Sequence, residues 1–561
     1  MIPNLLILFS FYFLITFSAI GFGSFFYRNN LDDTLINFGF KGLLGFYVLI
    51  VYSYISHFFI PHSFLHNIVV LFLGIILFIF FQKKEFTNKF FLILIFNFII
   101  IFVGLLIFKT HDDFPYYHFA YSYYITQEPM LIGIGQFNHG FRTPSSIFYL
   151  NSLFYLPMIK YYSFYIATTL ILGFSNLIFL SNIYQHIKKK NINYLFFLSV
   201  LFLIFFNIFF YRIQEHGTDR SAQILVSILL LQFFYFINFD KDSKYRMNFI
   251  LILMGLIISL KAFFILYLIF FIPFIWILFK ERKLELFFSL FKNSFFYLFL
   301  ISIICLVLIY LLNTGCLIYP ISFTCFNNFD WSIGVEETIQ MNKHYQLWAK
   351  AGKTPNFVID NAEIYLQNFN WVSNWLDLYF FNKVSDFLLG LLVVCLIVFI
   401  VFRKQSLKME KKQFNFSYVS IIYLFILILF FEWFLNHPAL RYGGYILIAS
   451  LLFIPFSFYL EKQNNLIDNL KPKIKLLIFL TIIIFLVRNG LRINDEINKY
   501  NYKPFTKSFY YIDNNHFRIS NSFDTLILNY DNCKNKKEPC DPTLSKKVKE
   551  FYPNRFIFKN D

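Results

Sequence analysis

Long apolar runs separated by short polar segments dominate the chain. A helix of about 20 apolar residues spans the hydrocarbon core of a bilayer. Runs of about that length lie near 3–26, 39–60, 64–81, 88–108, 161–184, 193–211, 221–239, 293–312, 384–402, 415–435, 445–460 and 474–488. The pattern predicts an all-α polytopic membrane protein.

The apolar stretch 247–279 is longer than one span needs, and Lys261 interrupts it. A tight turn at Lys261 would bring that side chain to the membrane surface between two spans, which gives about fourteen transmembrane helices. The first run lacks a basic flank and a small-residue cleavage site, so we interpret it as a span rather than a signal peptide.

Lys and Arg near span ends accumulate on the cytoplasmic side of a membrane. The loops 82–89, 185–192, 240–246, 280–292, 403–414 and 461–475 together hold 63 residues and 22 Lys plus Arg. The long loops 109–160 and 313–383 together hold 123 residues and only seven. These loops alternate in charge only if 247–279 crosses twice, and both termini then lie outside.

Composition agrees with a membrane protein. Hydrophobic residues make up 58% of the chain and charged residues 14%. The interior of a soluble fold could not bury this much apolar surface. The formal charge of +17 comes largely from the cytoplasmic loops. It therefore predicts contact with anionic membrane lipids and no nucleic-acid partner.

We divide the chain into a transmembrane domain, 1–488, and a small polar outside tail, 489–561. Cys316 and Cys325 share one outside loop, and Cys533 and Cys540 share the tail. Two short-range disulfides are expected in an oxidising compartment, with four free thiols as the alternative.

Polar residues concentrate in four outside segments, 109–160, 212–220, 313–383 and 436–444. A transporter would instead carry ionisable residues or Gly/Pro breaks at mid-membrane in two repeated halves. The distribution favours an outside-facing enzyme. The aromatic residues of 313–383 fit either headgroup anchoring or stacking on sugars.

The first segment opens with Asp112 and Asp113, flanked by His111 and His118. One aspartate at a helix start is commonly an N-cap. Two adjacent carboxylates beside histidines suggest a site, because neighbouring like charges raise one pKa and favour a general base. An Asp–His group also binds divalent cations, with Asp112, Asp113 and Asp219 as candidate ligands.

Further along the same loop, a glycine-rich stretch holds Asn138, His139 and Arg142. No βαβ pattern surrounds it, which excludes a dinucleotide fingerprint. Arg142 is a candidate anion contact, with simple solvation as the alternative. The apolar segment 147–158 that follows is expected to lie in the membrane interface.

The segment 212–220 packs Glu215, His216, Asp219 and Arg220 into one short connection. That density predicts an ion-pair network or the second half of an active site. Asp219 is also a candidate cap for the next span.

Lys261, His437 and Arg441 lie at span ends, where each side chain can simply reach the membrane interface. Two cations and a histidine at that depth also suit a lipid-linked phosphate, because partial desolvation strengthens charge-assisted hydrogen bonds.

Many spans, paired acids at a span end, a second acidic loop and basic residues near the membrane together resemble the GT-C superfamily of membrane glycosyltransferases. The segments 112–118, 135–146, 313–320 and 441–444 also resemble a group of bacterial polytopic proteins known mainly as a domain of unknown function. The chain differs from typical GT-C members, in which the first acidic loop follows the first span, since three spans lie between its first span and its acidic loop.

The resemblance implies transfer of a sugar from a polyprenyl-phosphate donor to a cell-envelope acceptor outside the bacterial inner membrane. Asp113 would be the base, and Asp112 a helix cap or metal partner. The remaining roles are phosphate binding by Lys261, Arg220 and Arg441, and acceptor or metal binding by Glu215 or Asp219. The alternatives are a polysaccharide polymerase or ligase, a lipid-linked oligosaccharide flippase, and a non-catalytic assembly subunit.

Overall fold

The computed structural model describes residues 3–28, 34–82, 89–111, 113–136, 139–159, 161–237, 243–281, 284–354, 357–403, 416–463, 470–500, 547–552 and 555–559. Most of these residues are helical, and the chain is an all-α polytopic membrane protein. Eleven helices within the described ranges are long and apolar enough to cross a bilayer.

The N-terminal part holds four long helices followed by two short ones. They are α1 (Pro3–Phe26), α2 (Thr34–His57), α3 (Phe64–Gln82), α4 (Lys89–Leu105), α5 (Phe119–Gln127) and α6 (Ser146–Leu153). All eight residues of α6 are buried within the protein. The expectation that 147–158 lies in the membrane interface is therefore wrong for α6, because other parts of the protein cover its apolar side chains.

The middle of the chain continues with helices separated by short connections. They are α7 (Ile166–Lys188), α8 (Tyr194–Phe209), α9 (Asp219–Ile237), α10 (Ser243–Leu260), α11 (Phe271–Lys280), α12 (Leu284–Leu290) and α13 (Ser294–Thr314). The helix breaks at Lys261, which is extended at φ −159° and ψ 138°, and a 3-10 segment Ala262–Phe270 leads into α11. The break lies where the charged residue interrupts the apolar pattern.

The segment between α13 and α17 holds α14 (Val335–Ala349), α15 (Ala362–Leu366) and α16 (Val372–Trp375). It also holds the antiparallel strands β1 (Lys353–Thr354) and β2 (Phe357–Val358). The structure contains the predicted disulfide between Cys316 and Cys325 at the start of this segment. Cys533 and Cys540 lie outside the described residues.

The C-terminal part holds α17 (Ser385–Phe402), α18 (Phe416–Asn436), α19 (Gly444–Gln463) and α20 (Leu470–Tyr500). A two-stranded hairpin, β3 (Lys547–Tyr552) and β4 (Arg555–Lys559), follows. Because α20 continues twelve residues past 488, the predicted domain boundary falls inside a helix.

Burial separates inner from outer helices. In the apolar windows of α7 and α9, 94% of residues are buried, against 28% in α3 and α20. The outer helices leave large apolar side chains such as Leu65, Phe80 and Phe479 exposed. Such surfaces are stable when lipid is the solvent, so the inner helices form the core and the outer ones face the bilayer.

Candidate functional site

The site begins where α4 ends and the chain turns into α5. Asp113 precedes a π-helical turn, Phe114–His118, but its side chain makes no capping hydrogen bond. Its Oδ2 lies 3.5 Å from Nη1 of Arg441 and 3.8 Å from Nδ1 of His111. The carboxylate also accepts a hydrogen bond from the Tyr117 hydroxyl at 3.5 Å, so it joins its own turn to the segment that holds Arg441. Asp112 lies outside the described residues.

The second carboxylate is Asp219, the first residue of α9. It forms a buried ion pair with Lys261 and accepts a hydrogen bond from the Thr218 hydroxyl at 3.0 Å. A buried charge is tolerated when it is paired and hydrogen-bonded. Asp219 therefore fixes the ammonium group of Lys261 at the break after α10.

Tyr442 connects the two ion pairs. Its ring centroid lies 4.8 Å from Nζ of Lys261, and its hydroxyl accepts a hydrogen bond from Nη2 of Arg441 at 2.9 Å. We call Asp113, Asp219, Lys261 and Arg441 the ionic cluster. It unites four chain segments that each end or begin a long helix on the same side of the bundle.

His111 and His118 line one wall of the site, with ring centroids 5.4 Å apart. Burial and the neighbouring His111 lower the pKa of His118 to about 3. Burial also lowers the pKa of His111, although Asp113 acts in the opposite direction. Both rings are neutral near pH 7, and the buried Nε2 of His118 has no hydrogen-bond partner among the residues that the structure describes.

The pKa of Asp113 depends on burial and on nearby charges. Adjacent carboxylates predict one raised pKa, and of the two only Asp113 lies within the described residues. Burial raises the pKa of the Asp113 carboxyl, but His111 and Arg441 outweigh it and leave the pKa below its usual value. The Asp113 carboxylate is therefore ionised near pH 7.

His111, Asp113 and His118 could hold a metal ion, since one ligand atom from each lies within 4.8 Å of the others. Histidine nitrogens with a carboxylate suit a divalent transition metal. However, Nδ1 of His111 accepts the backbone N–H of Asp113 at 3.0 Å, so its ring proton is on Nε2. His111 would have to release that bond to bind a metal, whereas Nε2 of His118 is already free.

Glu215 belongs to a neighbouring ion-pair network. Its carboxylate lies 2.6 Å from Arg492 and 3.5 Å from Arg212. Arg492 also contacts Glu496, which accepts the backbone N–H of Phe108 at 2.6 Å. This network joins α20 to the residues that directly follow α4. Arg492 and Glu496 are four residues apart on one helix, a spacing that predicts an ion pair. The sequence analysis did not use this signal.

Arg220 and His216 occupy the turn between the network and the ionic cluster. The guanidinium of Arg220 lies 5.6 Å from the ring centroid of Phe210, and its charge acts on both His111 and Glu215. His216 is buried and donates from Nε2 to the carbonyl of Phe210 at 2.5 Å. His216 therefore closes the turn through Nε2, while its buried Nδ1 has no hydrogen-bond partner among the described residues.

Arg142 has a role that the sequence did not predict. It is buried, its Nη2 lies 2.5 Å from Glu337, and its Nε donates to the Gly135 carbonyl at 2.9 Å. It therefore joins the segment between α5 and α6 to α14 instead of being solvated. His139 is exposed nearby, and Asn138 lies outside the described residues.

His437 lies between α18 and α19, with its ring centroid 5.9 Å from that of Tyr442. Burial, Lys350 and Lys261 lower its pKa to about 4, and its buried Nδ1 has no hydrogen-bond partner. The structure thus brings His437 beside the ionic cluster, together with Lys350, which sequence reasoning did not select.

Gly217 brings the acidic turn close to the histidines. Its φ is +53°, and an added Cβ would lie 3.2 Å from Cε1 of His118. We expect Gly217→Ala to destabilise the protein by about 1–2 kcal/mol, because an L-residue is disfavoured in the left-handed region. The measurement is the midpoint of unfolding in detergent.

Gly490→Ala is the matched control for this substitution. Gly490 lies within α20, and no heavy atom lies within 4 Å of an added Cβ. Alanine favours helix there by about 1 kcal/mol, so this variant should unfold at the wild-type midpoint or above it. An unchanged midpoint for Gly217→Ala would contradict the constrained turn.

Comparison with known proteins gives one family. A family model described as a domain of unknown function (DUF8201) matches residues 4–448, a range that includes every residue of the ionic cluster. No curated protein and no solved structure matches the chain.

Proposed function

We propose that this chain, which belongs to the DUF8201 family of domains of unknown function, is a GT-C-like membrane glycosyltransferase. It transfers a sugar from a polyprenyl-phosphate donor to a cell-envelope glycan or lipid acceptor on the outer face of the bacterial inner membrane. The ionic cluster carries the proposal, because it combines a base with two phosphate-binding cations at one end of a membrane bundle.

The geometry supports an inverting displacement. Asp113 takes the proton of the acceptor hydroxyl, and the oxygen attacks the anomeric carbon of the donor sugar. The bond from that carbon to the phosphate oxygen breaks, and the electron pair stays on the phosphate. Lys261 and Arg441 neutralise the charge that develops there, as preorganised cations do at any leaving anion.

Donor binding also restores the basicity of Asp113. Arg441 holds Asp113 at 3.5 Å, and 45% of its side chain is exposed, so an incoming phosphate can compete for it. As Arg441 turns to the phosphate, its hold on the carboxylate weakens and the pKa of Asp113 rises toward the usual carboxyl value. The base therefore becomes stronger when the donor is present.

A divalent cation is compatible with this reaction. His118, Asp113 and, after release of its backbone hydrogen bond, His111 would hold it. When bound, such an ion would supply positive charge beside the donor phosphate.

The topology we propose has fourteen spans. Eleven described helices meet the length and hydropathy expected of a span, and Lys89–Leu105 and Tyr194–Phe209 are shorter apolar helices. When these two helices and α10 are also counted as spans, the total number of spans is fourteen. Both termini and the ionic cluster then lie on the outer side, opposite the basic loops.

The direct test uses the full-length protein in proteoliposomes with radiolabelled polyprenyl-phosphate sugars and a membrane extract as the source of acceptor. We expect labelled sugar to appear in product without any ion gradient. Movement of intact labelled lipid across the vesicle with no new glycosidic bond would instead indicate a flippase and overturn the proposal.

The pH profile provides a second test. Asp113 acts as an anion, and its pKa lies below the usual value near 3.9, so kcat/KM should fall only when the pH drops below about 4. His118, with a pKa of about 3, stays neutral throughout the physiological range. An acidic limb centred near pH 6.5 would show that transfer requires a deprotonated histidine and is not controlled by Asp113.

A further inference from the structure

A small cavity lies beside the two histidines of the site. Its wall is formed by the turn that follows α4, by α6, by the residues around the start of α7 and by the turn before α9. It leaves about 20 Å³ for the centre of a water-sized group. About 10–15 Å³ is enough to hold one water, so the cavity admits one small polar group.

Three side chains in this wall carry buried polar atoms that have no hydrogen-bond partner among the described residues. These atoms are Nε2 of His118, Oδ1 of Asn151 and Oε1 of Gln214. Each of the three residues is at most 5% exposed. A buried polar atom without a partner is costly, so three of them around one cavity indicate a ligand that hydrogen-bonds there.

The existing hydrogen bonds define what such a ligand must offer. Nε2 of Gln214 donates to the carbonyl of Leu105 at 2.6 Å, which leaves Oε1 as an acceptor. The amide of Asn151 can both donate and accept. Among the described residues, no carboxylate, lysine or arginine lines the cavity, so a charged group would be desolvated there without a counter-charge. The cavity therefore suits a neutral group that both donates and accepts, such as a hydroxyl.

His118 connects the cavity to the proposed base. One nitrogen of His118 and one carboxylate oxygen of Asp113 lie within 4.8 Å of each other. A hydroxyl oxygen between them can hydrogen-bond to both at about 2.8 Å. The turn that carries Gln214 is held close by, because its carbonyl accepts the backbone N–H of His111 at 3.3 Å. One hydroxyl at Asp113 and another in the cavity would therefore contact the same imidazole, as hydroxyls on neighbouring carbon atoms can.

We propose that the cavity binds a second hydroxyl of the acceptor, next to the hydroxyl that attacks the donor, and that the acceptor is therefore a vicinal diol. A sugar ring or a glycerol headgroup has this chemistry, whereas an isolated alcohol does not. The attacking hydroxyl donates to Asp113. The neighbouring hydroxyl donates to Oε1 of Gln214 and accepts from the amide of Asn151. This inference rests on the proposed function and narrows its acceptor class.

The first test uses periodate, which cleaves the carbon–carbon bond between neighbouring hydroxyls and leaves isolated hydroxyls intact. The membrane extract is treated with periodate, quenched with ethylene glycol and reduced with borohydride. It is then added with labelled donor to the full-length protein in phosphatidylethanolamine vesicles. The control extract receives periodate that was quenched beforehand. Treated extract should support less than a tenth of the control transfer, and equal transfer would overturn the inference.

Vesicle composition distinguishes the two sources of the diol. Without extract, the protein in phosphatidylethanolamine vesicles is compared with the protein in vesicles that also contain phosphatidylglycerol. Label in phosphatidylglycerol would place the diol on a glycerol headgroup. Label that appears only after extract is added would place it on a sugar. Either result supports the inference and identifies the source.

Asn151→Leu tests the cavity itself. Leucine keeps the branched shape of the side chain, and Oδ1 of Asn151 has no partner among the described residues, so the midpoint of unfolding should not fall. The extract concentration for half-maximal transfer should rise at least tenfold, and that of the donor should change less than twofold. Asn182→Leu is the matched control, since both amide atoms of Asn182 are buried without a partner in the described part of the chain and Asn182 does not line the cavity. It should transfer at the wild-type rate.

Two results with the Asn151→Leu variant would overturn the inference. An unchanged half-maximal extract concentration would mean that the cavity holds only solvent. An equal rise for extract and donor would mean that Asn151 has a structural role alone. The proposed function fails separately, if wild type transfers no label to untreated extract.

Discussion

Replacing Asp113 with asparagine is expected to reduce sugar transfer by about three orders of magnitude, the usual range for loss of a general base. Asparagine preserves the shape of the side chain but cannot accept the proton of the acceptor hydroxyl. The stability cost should stay below about 1 kcal/mol, because the 3.5 Å pair with Arg441 is partly exposed. The measurement is the single-turnover rate with saturating donor, beside the midpoint of unfolding.

Glu363→Gln is the control for this charge change. The side chain of Glu363 is 78% exposed. Its ion pair with Lys343, at 3.1 Å, is therefore screened by solvent. Its loss should leave the transfer rate unchanged. If Asp113→Asn kept full activity, Asp113 would not be the base.

The second large effect is expected at the buried pair of Asp219 and Lys261. Asp219→Ala leaves the ammonium of Lys261 without its counter-ion where only 21% of that side chain is exposed. Breaking a buried ion pair typically costs about 3–5 kcal/mol, and partial exposure places the expected loss near 3 kcal/mol. SDS unfolding in mixed micelles measures it, and transfer should fall at the same time.

The double variant Asp219→Ala/Lys261→Met separates structure from chemistry. Removing both charges leaves no uncompensated ion, so most of the stability should return. Transfer should stay low, at least a hundredfold below wild type, because the phosphate has lost Lys261. Recovery of transfer together with stability would mean that this pair is only structural.

Several features of the fold could be predicted because they depend on short stretches of chain. The break at Lys261 follows from one charge inside an apolar run, and the structure places a helix end at Leu260. The predicted boundary at 488 falls inside α20, which becomes polar without ceasing to be helical. A change in polarity marks where a helix leaves the membrane, not where it ends.

The candidate site could be predicted only in part. Asp113 and Asp219 were selected as acids at span ends, and Lys261 and Arg441 as cations there. Arg142 was considered as an anion contact, but Glu337 of a distant helix already pairs with it. Lys350 is not singled out by the sequence pattern, because its packing against Trp371 depends on how the segment between α13 and α17 folds.

An all-α membrane protein with polar residues clustered at helix ends can be predicted from the amino-acid sequence alone, since crossing a bilayer depends on about 20 consecutive residues. Which of these polar residues meet depends instead on tertiary packing. Asp113 and Arg441 are 328 positions apart, and Glu215 and Arg492 are 277 apart. Such pairs depend on how helices pack, which no local window of sequence records, and the lowered pKa of Asp113 follows from that packing.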